Sequence, residues 1–173
     1  GADVNNYSVT DQSTTTANIT AKALTATASA SNKVYNSSST ATTTLTLSGF
    51  IGSETVTSTN SSTFNNKNVG TGKTVTVNSI TLADGSNGGL ASNYSISTGQ
   101  TTTADVTAKA LTVSGITASN KTYDGGINAT VTLSFSGFIG SETINNINSS
   151  TFDNKNIGTA KAVTVNSISL VDG

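Results

Sequence analysis

The stretch ATTTLTLSGFIGSET at residues 41–55 is answered by ATVTLSFSGFIGSET at residues 129–143, 88 positions on. Both copies alternate. Ala129, Val131, Leu133 and Phe135 are interleaved with Thr130, Thr132, Ser134 and Ser136, and Ala41, Thr43, Leu45 and Leu47 with Thr42, Thr44, Thr46 and Ser48. A period of two sends one set of side chains into a core and the other into water, which is the signature of a half-buried strand. The fold is therefore a question of strands, and of why they are spelled twice.

The repetition spreads outward from this stretch. STFNNKNVGTGKTVTVNSITLADG (62–85) returns as STFDNKNIGTAKAVTVNSISLVDG (150–173) at the same spacing. AKALT (21–25) returns at 108–112 and NYS (6–8) at 93–95, both 87 positions on, so one residue is gained between Leu111 and Ala118. TTTANITAKA (14–23) is matched by TTTADVTAKA (101–110). The chain is two periods of one unit, and fixed-period self-similarity marks a repeat architecture. In the favoured frame residues 1–20 are the terminal strand or strands of a preceding repeat. Residues 21–107 are then a complete unit, and 108–173 a second unit lacking its closing strand. In the alternative frame the units are 1–86 and 87–173, meeting in the loop around 84–92. The joined ends read LVDG-GADVNNYS, much like LADGSNGGLASNYS (82–95), so the expectation is a window cut from a longer tandem array.

Composition narrows the class. Charged residues are 10% of the 173, against about 25% in ordinary domains, and Ser, Thr and Asn fill close to half of the chain. The formal net charge is −1 and all eight basic residues are lysine, which argues against a nucleic-acid footprint. There is no cysteine, hence no disulfide framework or thiolate metal site, and no apolar run long enough to insert in a membrane. Histidine, arginine and tryptophan are also missing, which removes Ser-His-Asp and Cys-His nucleophiles. The nine carboxylates are scattered without close pairing. No catalytic residue, cofactor or metal site is expected.

Further strands follow from the same alternation. KTVTV (73–77) and KAVTV (161–165) place Val75, Val77, Val163 and Val165 inward. NSITL (78–82) then changes phase, which calls for a bulge near Asn78. NYSIS (93–97) is a strand with Tyr94 and Ile96 on one face. TTTADVTAKALTV (101–113) reads as one unbroken strand crossing from unit to unit, a stiff joint. Only GFIGSETINNINSSTF (137–152) leaves room for a short helical turn. Aromatic residues recur in pairs, Tyr35 with Tyr123, Phe50 with Phe138, Phe64 with Phe152 and Tyr7 with Tyr94. Recurrence in both units favours core packing over a sugar-stacking platform. The expected core is Tyr35, Phe50, Phe64, Val75, Val77 and Tyr94, with Tyr123, Leu133, Phe138, Phe152, Val163 and Val165. The expected class is all-β, two tandem small sandwich or grasp-like units, elongated, with little or no helix. Proline is absent, so sheet edges must be guarded by lysine, loops or neighbouring units.

DGSNGG (84–89) has oxygen donors but lacks calcium-loop spacing and a closing Glu, so a turn is the better reading. Glu54 and Glu142 with Lys73 and Lys161 are the bare minimum for an intramolecular isopeptide bond. Lysine at a strand end is more often an edge guard.

KTYDGG (121–126), the AKALTVSGITASN strand before it, FDNKNIGTAKAVTV after it, and the closing NYS strand with TTTADVT resemble the YDG/MBG-type repeats of very large bacterial surface, filamentous-haemagglutinin-like adhesins. VYNSSS (34–39) stands in the first unit where the turn motif is expected, and Ala21 and Ala108 stand where a proline is customary. The resemblance covers essentially the whole chain. It implies a non-catalytic stalk or fibre module on a bacterial surface, outer-membrane-associated or secreted. Its partners would be neighbouring repeats or other molecules of itself, with strand complementation between molecules as a route to head-to-tail fibres. An adhesive module recognising a glycan, matrix or cell surface is the alternative.

Overall fold

The computed structural model describes residues 3–12 and 14–172; Gly1, Ala2, Ser13 and Gly173, part of the expected terminal segments, lie outside it. The architecture is all-β. The first unit holds β1 (Lys22–Ala30), β2 (Lys33–Val34), β3 (Thr40–Ala41), β4 (Thr43–Ser48), β5 (Val56–Phe64), β6 (Gly70–Asp84), β7 (Tyr94–Ile96) and β8 (Thr101–Thr107). They form two sheets, in the order β4-β1-β7 and β2-β8-β6-β5-β3. Most pairs are antiparallel, but β1 runs parallel to β7 and β2 parallel to β8.

The sheets face one another as a small sandwich. Ala41, Phe64, Val75, Ala104 and Val106 pack at one end with Ala30 and Tyr35. Leu24, Val56 and Tyr94 pack at the other with Leu47, Phe50, Leu82 and Ile96. Val75 and Val77 are fully buried, and each such valine contributes about 1.5–3 kcal/mol over its exposed state.

The second unit repeats this plan with fewer strands: β9 (Thr112–Ala118), β10 (Asn128–Ala129), β11 (Val131–Ser136), β12 (Ile144–Phe152) and β13 (Val163–Asp172). They correspond to β1, β3, β4, β5 and β6. The sheets are β11-β9 and β10-β12-β13.

Two register shifts explain local sequence features. Ser61 faces Ser79 and Ser62 faces Val77, so Asn78 is the bulged residue, as its phase change predicts. Asn166 is its counterpart, between the pairs Ser149–Ser167 and Ser150–Val165. Each bulged amide donates to a threonine on the neighbouring strand, Asn78 to Thr63 Oγ1 at 3.1 Å and Asn166 to Thr151 Oγ1 at 3.2 Å. The residue gained after Leu111 is a bulge too. Val113 faces Phe135 and Gly115 faces Ser134, which leaves Ser114 over.

Three expectations need correction. The run 101–113 is not one strand, because β8 stops at Thr107 and β9 starts at Thr112. Lys22, Ala23 and Leu24 are strand only through pairing with β7, and among the described residues no counterpart of β7 holds Lys109, Ala110 and Leu111. The segment 137–152 hides no helix. After a turn closed by Glu142 N–H on Ile139 O, it is the nine-residue β12, paired along its length with β13. The 3-10 turns lie elsewhere, at Val4–Asn6 and Ala91–Asn93. Tyr123 is not in a core: it is 59% exposed, and among the described residues no strand lies beside it as β8 lies beside Tyr35, whose N–H bonds Thr107 O.

Candidate functional site: an open sheet edge and a joint

Strand β8 enters its sheet between β2 and β6, pairing Thr101–Ala104 and Val106 with Gly70–Thr76, and Val106 and Thr107 with β2. The first turns of β6, Gly70 to Thr74, find their strand partner only in β8, because pairing with β5 stops at Val75. In the second unit that segment is Gly158–Ala162. It is not strand, and β13 begins at Val163 where pairing with Phe152 begins. Lys121 and Thr122, the counterparts of β2, are not strand either.

What remains is a cleft of about 560 Å³ whose walls include Ala118, Tyr123, Phe152, Ile157, Lys161 and Val163. Ala30, Tyr35, Phe64, Val69, Lys73 and Val75 hold the same places in the first unit, where Ala104 and Val106 of β8 fill the space. Phe152, Val163 and Val165 are half-buried where Phe64, Val75 and Val77 are buried. Leu133 is buried, although its counterpart Leu45 is only half-buried.

Residues 6–20 resemble 93–107, with NYS, TTTA and the final Thr in common, but none of the described residues among them is strand. Every described residue from Asp3 to Ala21 is exposed, including Tyr7, Val9 and Ile19. Among the described residues, no hydrogen bond ties this segment to either unit; those it makes lie within its own 3-10 turn.

The second cavity, of about 340 Å³, lies at the joint. Its walls include Tyr35, Val69 and Lys109 on one side and Phe138, Ile139 and Glu142 on the other. Phe50, Ile51 and Glu54 hold these last places in the first unit, where they form the socket of Tyr94. The Tyr94 ring stands edge-on to Phe50 at 5.6 Å. Its hydroxyl accepts from Ile51 N–H at 3.2 Å and donates to Glu54 Oε2 at 2.5 Å. In the second unit Glu142 is held from outside. Tyr35 Oη donates to Glu142 Oε1 at 2.5 Å, and Lys67 Nζ lies 3.7 Å from the same oxygen. The hydrogen bond to carboxylate raises both phenols above their ordinary value of 10.0, through Glu142 for Tyr35 and through Glu54 for Tyr94.

The turns after β2 and its counterpart show how two spellings give one shape. Asp124 Oδ1 accepts from Gly126 N–H at 2.9 Å and from Lys121 Nζ at 2.7 Å, with Gly125 at φ +78°. The same lysine holds its carboxyl below the ordinary carboxylate value. In NSS, Asn36 Oδ1 accepts from Ser38 N–H at 3.1 Å and Ser37 takes φ +60°. Lys33 closes that turn on Ser38 O and Thr40 O as Lys121 does on Gly126 O and Asn128 O. It is the same Asx turn, with a serine in the glycine's place.

The YDG domain profile matches residues 20–104 and again residues 107–173. The chain belongs to the YDG domain family. It carries two YDG domains in tandem; among the described residues the first has eight strands and the second five. No curated protein and no solved structure matches it significantly. Among the described residues of these YDG domains no cluster of three or more acidic, histidine or cysteine side chains could hold a metal. DGSNGG is tied down instead: Gly85 N–H bonds Gly89 O, Thr55 N–H bonds Ser86 O, and Asn87 Nδ2 reaches Ser53 O. The isopeptide candidates do not meet, since Lys73 Nζ binds Asn66 Oδ1 and Lys161 pairs with Asp153, while Glu54 holds Tyr94. No described helix is long and apolar enough to cross a membrane.

Proposed function

We propose that this tandem YDG chain is a non-catalytic structural module of a secreted bacterial adhesin or extracellular filament, a stalk segment at the cell surface. Residues 6–20 of one molecule enter the open edge of the second unit of another and extend the array head to tail. One observation carries this reading. The cleft in the second unit lies where β8 lies in the first, and the segment spelled like β7 and β8 stands exposed at the other end of the chain. Strand addition satisfies the bare backbone groups of a sheet edge, and alternate side chains supply specificity. Here Ala17 and Ile19 would take the places of Ala104 and Val106. A donor site and an acceptor site at opposite ends make a heterologous contact that propagates instead of closing. The surface suits such a fibre: with few charges there is little for salt to screen.

Sedimentation and light scattering of the whole chain, beside a variant lacking residues 1–20, test it. Concentration-dependent linear oligomers that vanish on truncation are expected. A chain that stays monomeric at millimolar concentration refutes assembly by strand addition. A glycan that binds the cleft of the monomer would instead favour the adhesive reading.

A further inference from the structure

The chain between the two units is short, and both of its ends are held. Thr107 is the last residue of β8. It faces Val34 of β2, and its carbonyl accepts from Tyr35 N–H at 2.8 Å, so the first unit keeps it. Strand β9 begins at Thr112, but the hold of the second unit starts earlier. Gly137 lies against Ala110 and Leu111: a Cβ on it would stand 3.4 Å from Ala110 O and 3.6 Å from Leu111 Cδ2. Gly49 lies against Ala23 and Leu24 in the same way, where a Cβ would stand 3.6 Å from Ala23 O and 3.8 Å from Leu24 Cδ2. The entry segment of each unit therefore docks on the first glycine of SGFIGSET, whether β7 lies beside it, as in the first unit, or no described strand does, as in the second. Only Ala108 and Lys109 are left between the two holds, and both are exposed and outside any strand.

Little else crosses the joint. Among the described residues, the closely packed pairs of strands each lie within one unit, and no backbone hydrogen bond runs from unit to unit. The polar contacts that do cross end on one carboxylate oxygen. Tyr35 Oη donates to Glu142 Oε1 at 2.5 Å, and Lys67 Nζ lies 3.7 Å from the same atom. Tyr35 and Glu142 are each fixed within their own unit. The Tyr35 ring packs on the core of the first, and Glu142 sits in the turn that its own N–H closes on Ile139 O at 3.2 Å. The dock at Gly137 and the contact at Glu142 thus belong to one loop of the second unit.

We infer that Ala108 and Lys109 form a two-residue hinge between the units, and that Tyr35 and Glu142 are the latch that holds it shut. Latched, the two units turn as one body. Released, they swing about residues 108–109 while both stay folded, since neither sheet gives up a strand pair. The latch is a charge-assisted hydrogen bond, short and directional. It is also partly exposed, so it is a modest restraint that bending can open and that re-forms afterwards. The device works inside one molecule and needs no second copy.

Residual dipolar couplings of the whole chain, fitted to each unit separately, test it beside amide relaxation. The wild-type units should share one alignment tensor. Tyr35→Phe keeps the ring on the core and removes the donor, and Glu142→Gln removes the charge from the other side. Each should split the common tensor into two of unequal strength while amide shifts away from the joint stay unchanged. The double variant should split it no further than either single one, as for two partners in one bond. In all three variants the order parameters of Ala108 and Lys109 should fall below about 0.6, while Ala110 and Leu111 stay near about 0.85 with the second unit. Two separate tensors in the wild-type chain overturn the latch, and so does one tensor that survives every variant. Loss of order through Ala110 and Leu111 as well overturns the two-residue hinge. Should Tyr35→Phe unsettle the first unit, Glu142→Gln, across the joint, decides the outcome alone.

Discussion

Val75 and Val163 hold the same place in the two units, facing Phe64 and Phe152 across one strand pair, but only Val75 has a neighbour on its other side, Thr102 of β8. One sequence position therefore has two environments in one molecule, and the difference is the last strand.

That asymmetry should be measurable. Val75→Ala removes two methyl groups from a site with no exposure and should cost about 2 kcal/mol. Val163→Ala, at a half-buried site, should cost under about 1 kcal/mol. Urea unfolding of each variant, followed by NMR signals of each unit, checks the ordering. Equal costs would mean that the cleft is closed in solution.

Hydrogen exchange offers a test without substitution. Amides of Lys73 and Val75 point from β6 toward β8 and should exchange at least about tenfold more slowly than those of Lys161 and Val163. Adding a synthetic peptide of residues 93–107 should slow the second pair and the amides of Lys109–Leu111. Unchanged exchange at saturating peptide would count against an acceptor edge.

Three described residues adopt left-handed backbone without being glycine, Ser37, Asn87 and Ala160, and for the first and last of them the other unit shows the remedy. Ser37 at φ +60° corresponds to Gly125, and Ala160 at φ +51° corresponds to Gly72 at φ +57°. Ser37→Gly and Ala160→Gly should each stabilise their unit by about 0.5–1 kcal/mol, the relief of left-handed strain less the added chain entropy of glycine. Thermal unfolding reads this directly. The reverse substitution Gly89→Ala should be severe, since a Cβ there would fall on the Thr55 carbonyl, and a loss of about 3 kcal/mol or more is expected.

The response to pH is set by the groups that shift. Tyr35 and Tyr94 have phenols raised by their bonds to carboxylate, so their contribution is whole below pH 10.0 and is lost as pH climbs through the raised values. Asp124 and Asp153 are depressed, first by Lys121 and Lys161, so theirs is whole above 3.8 and is lost as pH falls through the depressed values. A flat plateau between these limits is expected, with Tyr35→Phe flattening part of the alkaline edge. A midpoint that moves steadily between pH 5 and 9 would require a titrating group not among these four.

The strands with apolar alternation were legible from their letters, and so was the bulge at Asn78, because a change of phase inside one run needs an extra residue. β12 was not, because its inward positions are polar. Asn146 and Asn148 are half-buried beside exposed Ile147, and Asn148 Nδ2 donates to Val131 O at 3.1 Å. An inward asparagine that bonds the backbone of a neighbouring strand looks, in sequence, like a turn. The break at Ala108–Leu111 was hidden for a different reason. Strand propensity there is unchanged from Ala21–Leu24, and what differs is the presence of a pairing partner, which no local pattern records. Tyr123 was misplaced by the same logic, since identical letters do not guarantee identical neighbours. The joint contact of Tyr35 with Glu142 spans 107 residues and left no local trace beyond the recurrence of both residues.

The parallel pairing of β1 with β7 governs how a pulled molecule would yield. Traction enters the first unit at Lys22 and leaves beyond Thr107, so β1 is drawn toward its beginning while β7 is drawn toward its end. In a parallel pair those tugs slide the strands along each other, and the ladder bonds are strained together instead of parting one by one. Strand β1 and its partner thus act as a shear lock, and the second unit, whose β9 has no such partner among the described residues, should rupture at the lower force under optical tweezers. Filling its edge should bring the two rupture forces together.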